Sequence, residues 1–246
     1  MKQTAKTPKK PAVKPEQSVK IAATAATSPP QNDTKAAETT PKRLAPPAWF
    51  WSLLALGMVL YAGSAALAIS HKVPGIERHI FHAINGWRGG HLMTQLAKQL
   101  SNAVWGMVGL CGLLLLVPKF RLRAWQYAVA AGGAYTAVFV TEHIINRARP
   151  ELLFPHEAII RATQGGPGYP SGHMATLTAL GLTLWLFVRW PWRVFIVLLL
   201  AAEAWARIFL GVHTPLDIAG GVGIGLTAVA VLHLAPIKWR HFFKLA

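Results

Sequence analysis

Apolar residues along this chain gather into blocks divided by short polar or basic punctuation. A helix needs about 20 predominantly apolar residues to cross a bilayer. Blocks over 48–69, 102–117, 124–145, 172–188, 194–210 and 215–235 therefore predict six spanning helices. The first opens on Trp49, Phe50 and Trp51, aromatic residues of the kind that anchor a helix at a membrane–water interface. Between the first two blocks the pattern changes. Ile76, Ile80, Phe81, Ile84 and Trp87 recur at helical spacing, and Leu92, Leu96 and Leu100 repeat this after Gly89-Gly90. Two short amphipathic helices lying on the membrane surface are the expectation there. The glycines at 220, 221, 223 and 225 in the last block suit close helix packing. The predicted fold is all-α: a six-span transmembrane helix bundle over residues 47–246, with short amphipathic surface helices after the first span.

Residues 1–46 stand apart. They are poor in aromatic residues, rich in Ala, Thr, Lys, Pro and Gln, and carry nine Lys or Arg against Glu16, Asp33 and Glu38. Such a segment buries too little apolar surface to offset its chain entropy, so it reads as a disordered basic tail. The formal net charge of +16 raises the question of nucleic acid. The cations, however, are dispersed over the tail and the short loops, a pattern that speaks to membrane orientation and anionic lipid rather than base reading. Residues 118–123, 189–193 and the segment after Pro236 are basic, and six spans put all three on the side of the tail. The positive-inside rule then places both termini in the cytoplasm, and the loops at 71–101, 146–171 and 211–214 on the outer face of the inner (plasma) membrane. The single cysteine, Cys111, excludes an intrachain disulfide and reads as a packing residue.

Polar residues at the edges of the apolar blocks carry the candidate chemistry, because ionisable groups at a bilayer edge are costly and mark function. Arg147 and Arg149 leave the third span just before Pro150. A Gly-rich loop then leads through Pro170 and Ser171 to Gly172 and His173 at the start of the next span. Free backbone N–H groups and the helix dipole make such a start an anion site, with Ser171 as N-cap and phosphate ligand. Arg207 ends the fifth span, and His213 and Asp217 follow at i, i+4 spacing. Asp217 has two readings: it orients the His213 ring, or it closes a capping box with Thr214 at a helix start. Glu203, four residues before Arg207, is placed to pair with it. Two arginines and a helix start form a dianion cradle, and two histidines supply a nucleophile and an acid. No carboxylate cluster suited to Mg²⁺ and no close His/Cys set suited to Zn²⁺ accompanies them, so neither metal nor cofactor is expected.

Together these segments resemble the type 2 phosphatidic acid phosphatase family, membrane lipid phosphatases related to the vanadium haloperoxidases. The family signature runs Lys, six residues, Arg-Pro; then Pro-Ser-Gly-His; then Ser-Arg, five residues, His, three residues, Asp. The chain keeps Arg149-Pro150, Pro170-Ser171-Gly172-His173, and Arg207, His213 and Asp217 at the family spacing. The resemblance covers roughly residues 48–235. It implies His213 as the nucleophile that becomes phosphohistidine, with Asp217 holding its ring. His173 would serve as acid and then base, and Arg149, Arg207, Ser171 and the Gly172 amide would bind the phosphoryl oxygens. The substrate implied is a membrane lipid phosphate or diphosphate, with undecaprenyl diphosphate the leading expectation. Transfer of the phosphoryl group to another lipid, and a catalytically degenerate lipid-binding scaffold, are the alternatives. Two positions depart from the signature: Glu142 stands at the lysine and Ala206 at the serine. Glu142 is expected either to pair with Arg147 or Arg149 and orient it, or to meet a substrate head group that carries a donor.

Overall fold

The computed structural model describes residues 47–70 and 72–234. The expected disordered tail and the basic segment after Pro236 lie outside them. Every regular element among the described residues is a helix: α1 (Trp49–Ile69), α2 (Gly75–Asn85), α3 (His91–Leu115), α4 (Arg121–Ile145), α5 (Pro150–Leu153), α6 (Gly172–Trp185), α7 (Trp190–Phe209) and α8 (Pro215–Leu234). By length and composition three stretches are apolar enough to cross a membrane: Trp49–Ile69, Arg121–Leu153, which contains α4 and α5, and Pro215–Leu234.

Helix α8 is the hub, packed against α1, α4 and α6, while α3 and α7 pair with each other and close the bundle on the α6 side. The glycines explain how α1 and α8 come so close. A Cβ on Gly223 would lie 2.6 Å from the Tyr61 backbone N and 2.8 Å from the Gly57 carbonyl O, so the position has no room for a side chain. Small residues continue the theme on the other face, where Ala130 and Ala134 of α4 and Ala175 and Ala179 of α6 form a core cluster with Ile224 and Val229 of α8. Large apolar side chains point outward instead, among them Trp51, Val59, Leu110, Ile144 and Leu198. A bundle with small residues between helices and large ones on its perimeter suits a lipid solvent, which supplies no hydrophobic force between helices and rewards close backbone packing.

The stretch before the second span differs from expectation. Helix α2 is separate, but Leu92, Leu96 and Leu100 do not belong to a second surface helix. They form the first turns of α3, which runs 25 residues without a break. Ser101 and Asn102 look like a polar boundary in sequence, yet neither they nor their neighbours stop a helix, and Ser101 turns into the interior. Helix α2 also buries a different stripe from the apolar one. Glu77, Phe81 and Asn85 are inside, while Ile76 and Ile80 are exposed. Asn85 explains part of this, because its amide donates to the carbonyls of Ile159, Ile208 and Phe209 and accepts from the Ile159 N–H. Arg161 donates to the carbonyls of Asn85, Phe209 and Trp87 and lies over the Phe209 ring. These bonds fasten the long loop between α5 and α6 across the end of α7.

Candidate active site

The C-terminal ends of α4 and α7 and the N-terminal ends of α6 and α8 meet at one end of the bundle. Asn146, in the left-handed conformation, ends α4. Ser171 caps α6, accepting from the Met174 N–H at 3.5 Å, and its own N–H donates to the Asp217 carbonyl at 3.0 Å. That bond ties the starts of α6 and α8 together. Thr214 and Asp217 form the capping box: the Thr214 N–H donates to Asp217 Oδ2 at 2.7 Å and the Asp217 N–H to Thr214 Oγ1 at 3.4 Å.

His213 sits in the turn between α7 and α8 and is 1% exposed. Its Nδ1 lies 2.9 Å from the Gly168 carbonyl O and 3.6 Å from Asp217 Oδ2. A carbonyl only accepts, so Nδ1 carries the proton and Nε2 keeps a free lone pair. Nε2 is buried and has no hydrogen-bond partner among the described residues. Burial pushes the His213 pKa down to about 4, against the opposing pull of Asp217. The ring is therefore held chiefly by a backbone carbonyl, with Asp217 beside it. Gly168 makes that approach possible. A Cβ there would lie 2.9 Å from the Ala148 carbonyl O, and the Gly168 N–H donates to the Arg147 carbonyl at 2.7 Å.

The two loop arginines part company. Arg147 is 1% exposed and forms ion pairs with two buried carboxylates, both Glu77 oxygens at 2.9 Å and Asp217 Oδ1 at 2.9 Å, with Thr214 Oγ1 at 2.8 Å. Arg149 has no carboxylate in its hydrogen bonds. Its Nε, Nη1 and Nη2 donate to the carbonyls of Gly166, Val212 and Gly165. Arg207 donates from Nη1 to Ser101 Oγ at 2.7 Å and from Nη2 to Gln164 Oε1. Glu203 does not pair with Arg207 directly. Ser101 stands between, accepting from Arg207 and donating to Glu203 Oε1 at 3.3 Å, because a hydroxyl can do both at once. Neither loop arginine takes Glu142 as an ion-pair partner, although Arg149 is near enough for its charge to bear on that carboxylate.

A cavity of about 190 Å³ opens beside these groups, lined in part by Glu142, Arg149, Gln164, Gly165, Gly172 and His173. The His173 ring meets Trp105 edge to face and feels the charges of Arg207, His213 and Arg149. Ala206, at the signature serine, is fully buried in an apolar cluster with Ala97, Phe209, Leu210 and Val212. Glu142, Arg149, Gly172 and His173 line the cavity, and Arg207 and His213 are near enough for their charges to bear on His173. Ser171 and Asp217 tie the α6 and α8 starts, whereas Arg147 is taken up by Glu77, Asp217 and Thr214. Glu77, Ser101, Gln164 and the Gly168 carbonyl are partners that sequence reasoning missed. Glu77 has one local signal, its place with Phe81 and Asn85 on a single stripe of α2. Among the described residues no group of three or more His, Cys, Asp or Glu could hold a metal ion.

Two arginines held by uncharged oxygens beside an imidazole with a free lone pair, at the end of an apolar helix bundle, fit a lipid phosphatase. The chain belongs to the PAP2 superfamily, whose profile matches residues 123–240. It is 33% identical over 131 residues to the decaprenylphosphoryl-5-phosphoribose phosphatase of Mycobacterium tuberculosis H37Rv, covering 52% of this chain and 69% of that protein. It is 24% identical over 199 residues to the undecaprenyl-diphosphatase of Sulfolobus acidocaldarius, covering 77% and 94%. The crystal structure of LpxE from Aquifex aeolicus shares the fold, with a TM-score of 0.58 at 20% identity over 65% of this chain and 95% of that one.

Proposed function

We propose that this lipid phosphatase works through a phosphohistidine on His213, at the outer face of the inner membrane, on a phosphate or diphosphate carried by a polyprenyl lipid. The observation that carries the mechanism is the His213 ring, with Nδ1 donating to the Gly168 carbonyl and Nε2 free and buried. In the first step the Nε2 lone pair attacks phosphorus while the bond to the leaving oxygen breaks. His173, protonated once the phosphate dianion lies beside it and offsets the arginine charges, gives that oxygen its proton. In the second step neutral His173 takes a proton from water, the hydroxide attacks phosphorus, and the P–N bond breaks to release inorganic phosphate. Arg149 and Arg207, with the Gly172 N–H and Ser171 at the α6 start, bind the phosphoryl oxygens and stabilise the charge that builds on them. Asp217 fixes the α8 start and stands beside the imidazole.

For topology we take α1, α3, α4, α6, α7 and α8 as the six spans. The basic turns at 118–123 and 189–193 then lie at the end opposite the site, which supports an outward-facing site by the positive-inside rule. The polyprenyl tail is supported by the names of two relatives, which pair such a tail with a diphosphate in one case and a phosphorylated pentose in the other. The test is phosphate release from a panel of lipid phosphates by purified protein, with His213→Ala in parallel and alkali-quenched samples examined for phosphohistidine. Wild-type release, and a loss of at least about 10³-fold in the variant, are expected. Release that survives the substitution overturns the mechanism. Label that leaves the donor and reappears on a second lipid overturns hydrolysis in favour of transfer.

A further inference from the structure

The reading above leaves one cavity residue without a task. Glu142 is half-buried in the wall shared with Arg149, Gly172 and His173, and its carboxylate takes no hydrogen bond or ion pair among the described residues. The cations that could have engaged it are committed elsewhere: Arg147 to Glu77 and Asp217, three Arg149 donors to carbonyls. Along α4 the stripe Tyr135, Val138, Phe139, Glu142 lines the cavity at helical spacing, so the wall grades from apolar to acidic toward Arg149. At the apolar end the cavity shares Trp105, Tyr135 and Thr176 with a second, apolar space of about 500 Å³ between α3, α4 and α6. A lipid lying with its tail in that space would have its head group in the cavity that Glu142 lines.

Resting on the phosphatase reading, we propose that Glu142 selects the substrate by accepting a hydrogen bond from a head-group hydroxyl one or two carbons along from the carbon that bears the phosphate. The substrate class is then a lipid phosphomonoester on a polyol head group, a sugar or glycerol, and not a lipid diphosphate. An ionised carboxylate has only acceptors, so it suits a hydroxyl neighbour. In a diphosphate the same place holds a second phosphate, with no donor when ionised and with charge of the same sign. Glu142 is thus a specificity residue outside the bond-breaking set.

Three probes test this with the full chain in detergent micelles: a prenyl-phosphoryl ribose 5-phosphate, phosphatidylglycerol phosphate and farnesyl diphosphate. Wild-type protein should prefer one or both hydroxylated esters to the diphosphate by at least about tenfold in kcat/KM, and the better of the two identifies the head group. Glu142→Gln, which keeps an acceptor but loses the charge, should retain turnover of the preferred ester while its preference over the diphosphate narrows. Glu142→Ala should lose about 10- to 100-fold on the preferred ester, mainly through KM, and gain on the diphosphate, from which the like charge has been removed. Glu142→Lys should move the ratio toward the diphosphate. A wild-type preference for the diphosphate, or an equal change on all three probes in every Glu142 variant, overturns the proposal. Release lost in His213→Ala reports the phosphatase reading separately. If wild-type protein releases phosphate from no probe, that reading fails and the proposal falls with it. Because Glu142 makes no bond that the fold uses, the variants should share the wild-type melting temperature.

Discussion

Arg147 and Arg149 lie two residues apart on one loop and have opposite surroundings. Arg147 is enclosed by carboxylates that cancel its charge, and these partners belong to α2 and the α8 start. Arg149 is oriented by three carbonyls, which aim the guanidinium but leave its net charge in place. The first arrangement joins helices, and the second holds a cation ready for an anion. Arg207 follows the second pattern, since a hydroxyl and an amide oxygen hold it and Glu203 reaches it only through Ser101. The partner's charge separates Arg147 from Arg149, but it does not by itself mark a ligand-binding arginine, since Arg161 is also held by carbonyls alone and fastens a loop.

Substitutions at the two arginines would break the contrast in different observables. Arg147→Ala leaves Glu77 and Asp217 buried without their cation, and removal of one partner from a buried pair costs about 3–5 kcal/mol. A marked drop in melting temperature or folded yield is expected, and a variant as stable as wild type would refute the brace. Arg149→Ala should act on turnover instead, lowering kcat/KM by about 10²–10³-fold as for loss of an oxyanion donor, with a much smaller shift in melting temperature. Equal effects of both substitutions on stability would erase the distinction.

Titration of His213 sharpens the same division. Its folded pKa of about 4 lies below the ordinary imidazole value, so protonation favours the unfolded chain. The associated stability is fully present above about pH 6.5 and is lost as pH falls toward 4. Melting temperature should therefore decline over that window, with a shallower decline in His213→Asn. On the proposed mechanism a nucleophile with a pKa of about 4 is not what titrates near pH 6, so a loss of kcat/KM there is expected to belong to another group, such as the substrate phosphate. The smallest effect expected is for Ser171→Ala. Loss of the α6 cap should cost about 1 kcal/mol of stability, read from thermal melts. A larger loss of kcat/KM than of stability would mark Ser171 as a phosphate ligand as well as a cap.

The helical class and the polar groups at the ends of the apolar blocks were legible because both depend on local pattern. Pro215, Thr214 and Asp217 announce a helix start within four residues, and the structure contains that capping box. What the pattern could not supply was pairing over long separations. Glu77 meets Arg147 across 70 residues, and Ser101 meets Arg207 across 106. An acidic residue in the first turn of a surface helix looks solvated, and a serine after an amphipathic run looks like an end. Each is inside because its partner is, and the partner comes from another part of the chain. The unbroken length of α3 has the same origin, since Ser101 continues the helix in order to reach α7.

The hydrogen bond from His213 Nδ1 to the Gly168 carbonyl also fixes the regiochemistry of any adduct on this ring. With the pros nitrogen tied to the backbone, a phosphoryl group can join only at the tele nitrogen. The captured species would be a single positional isomer, a phosphoramidate that hydrolyses in acid and persists in base. Alkaline digestion followed by chromatography against the two phosphohistidine standards would assign it.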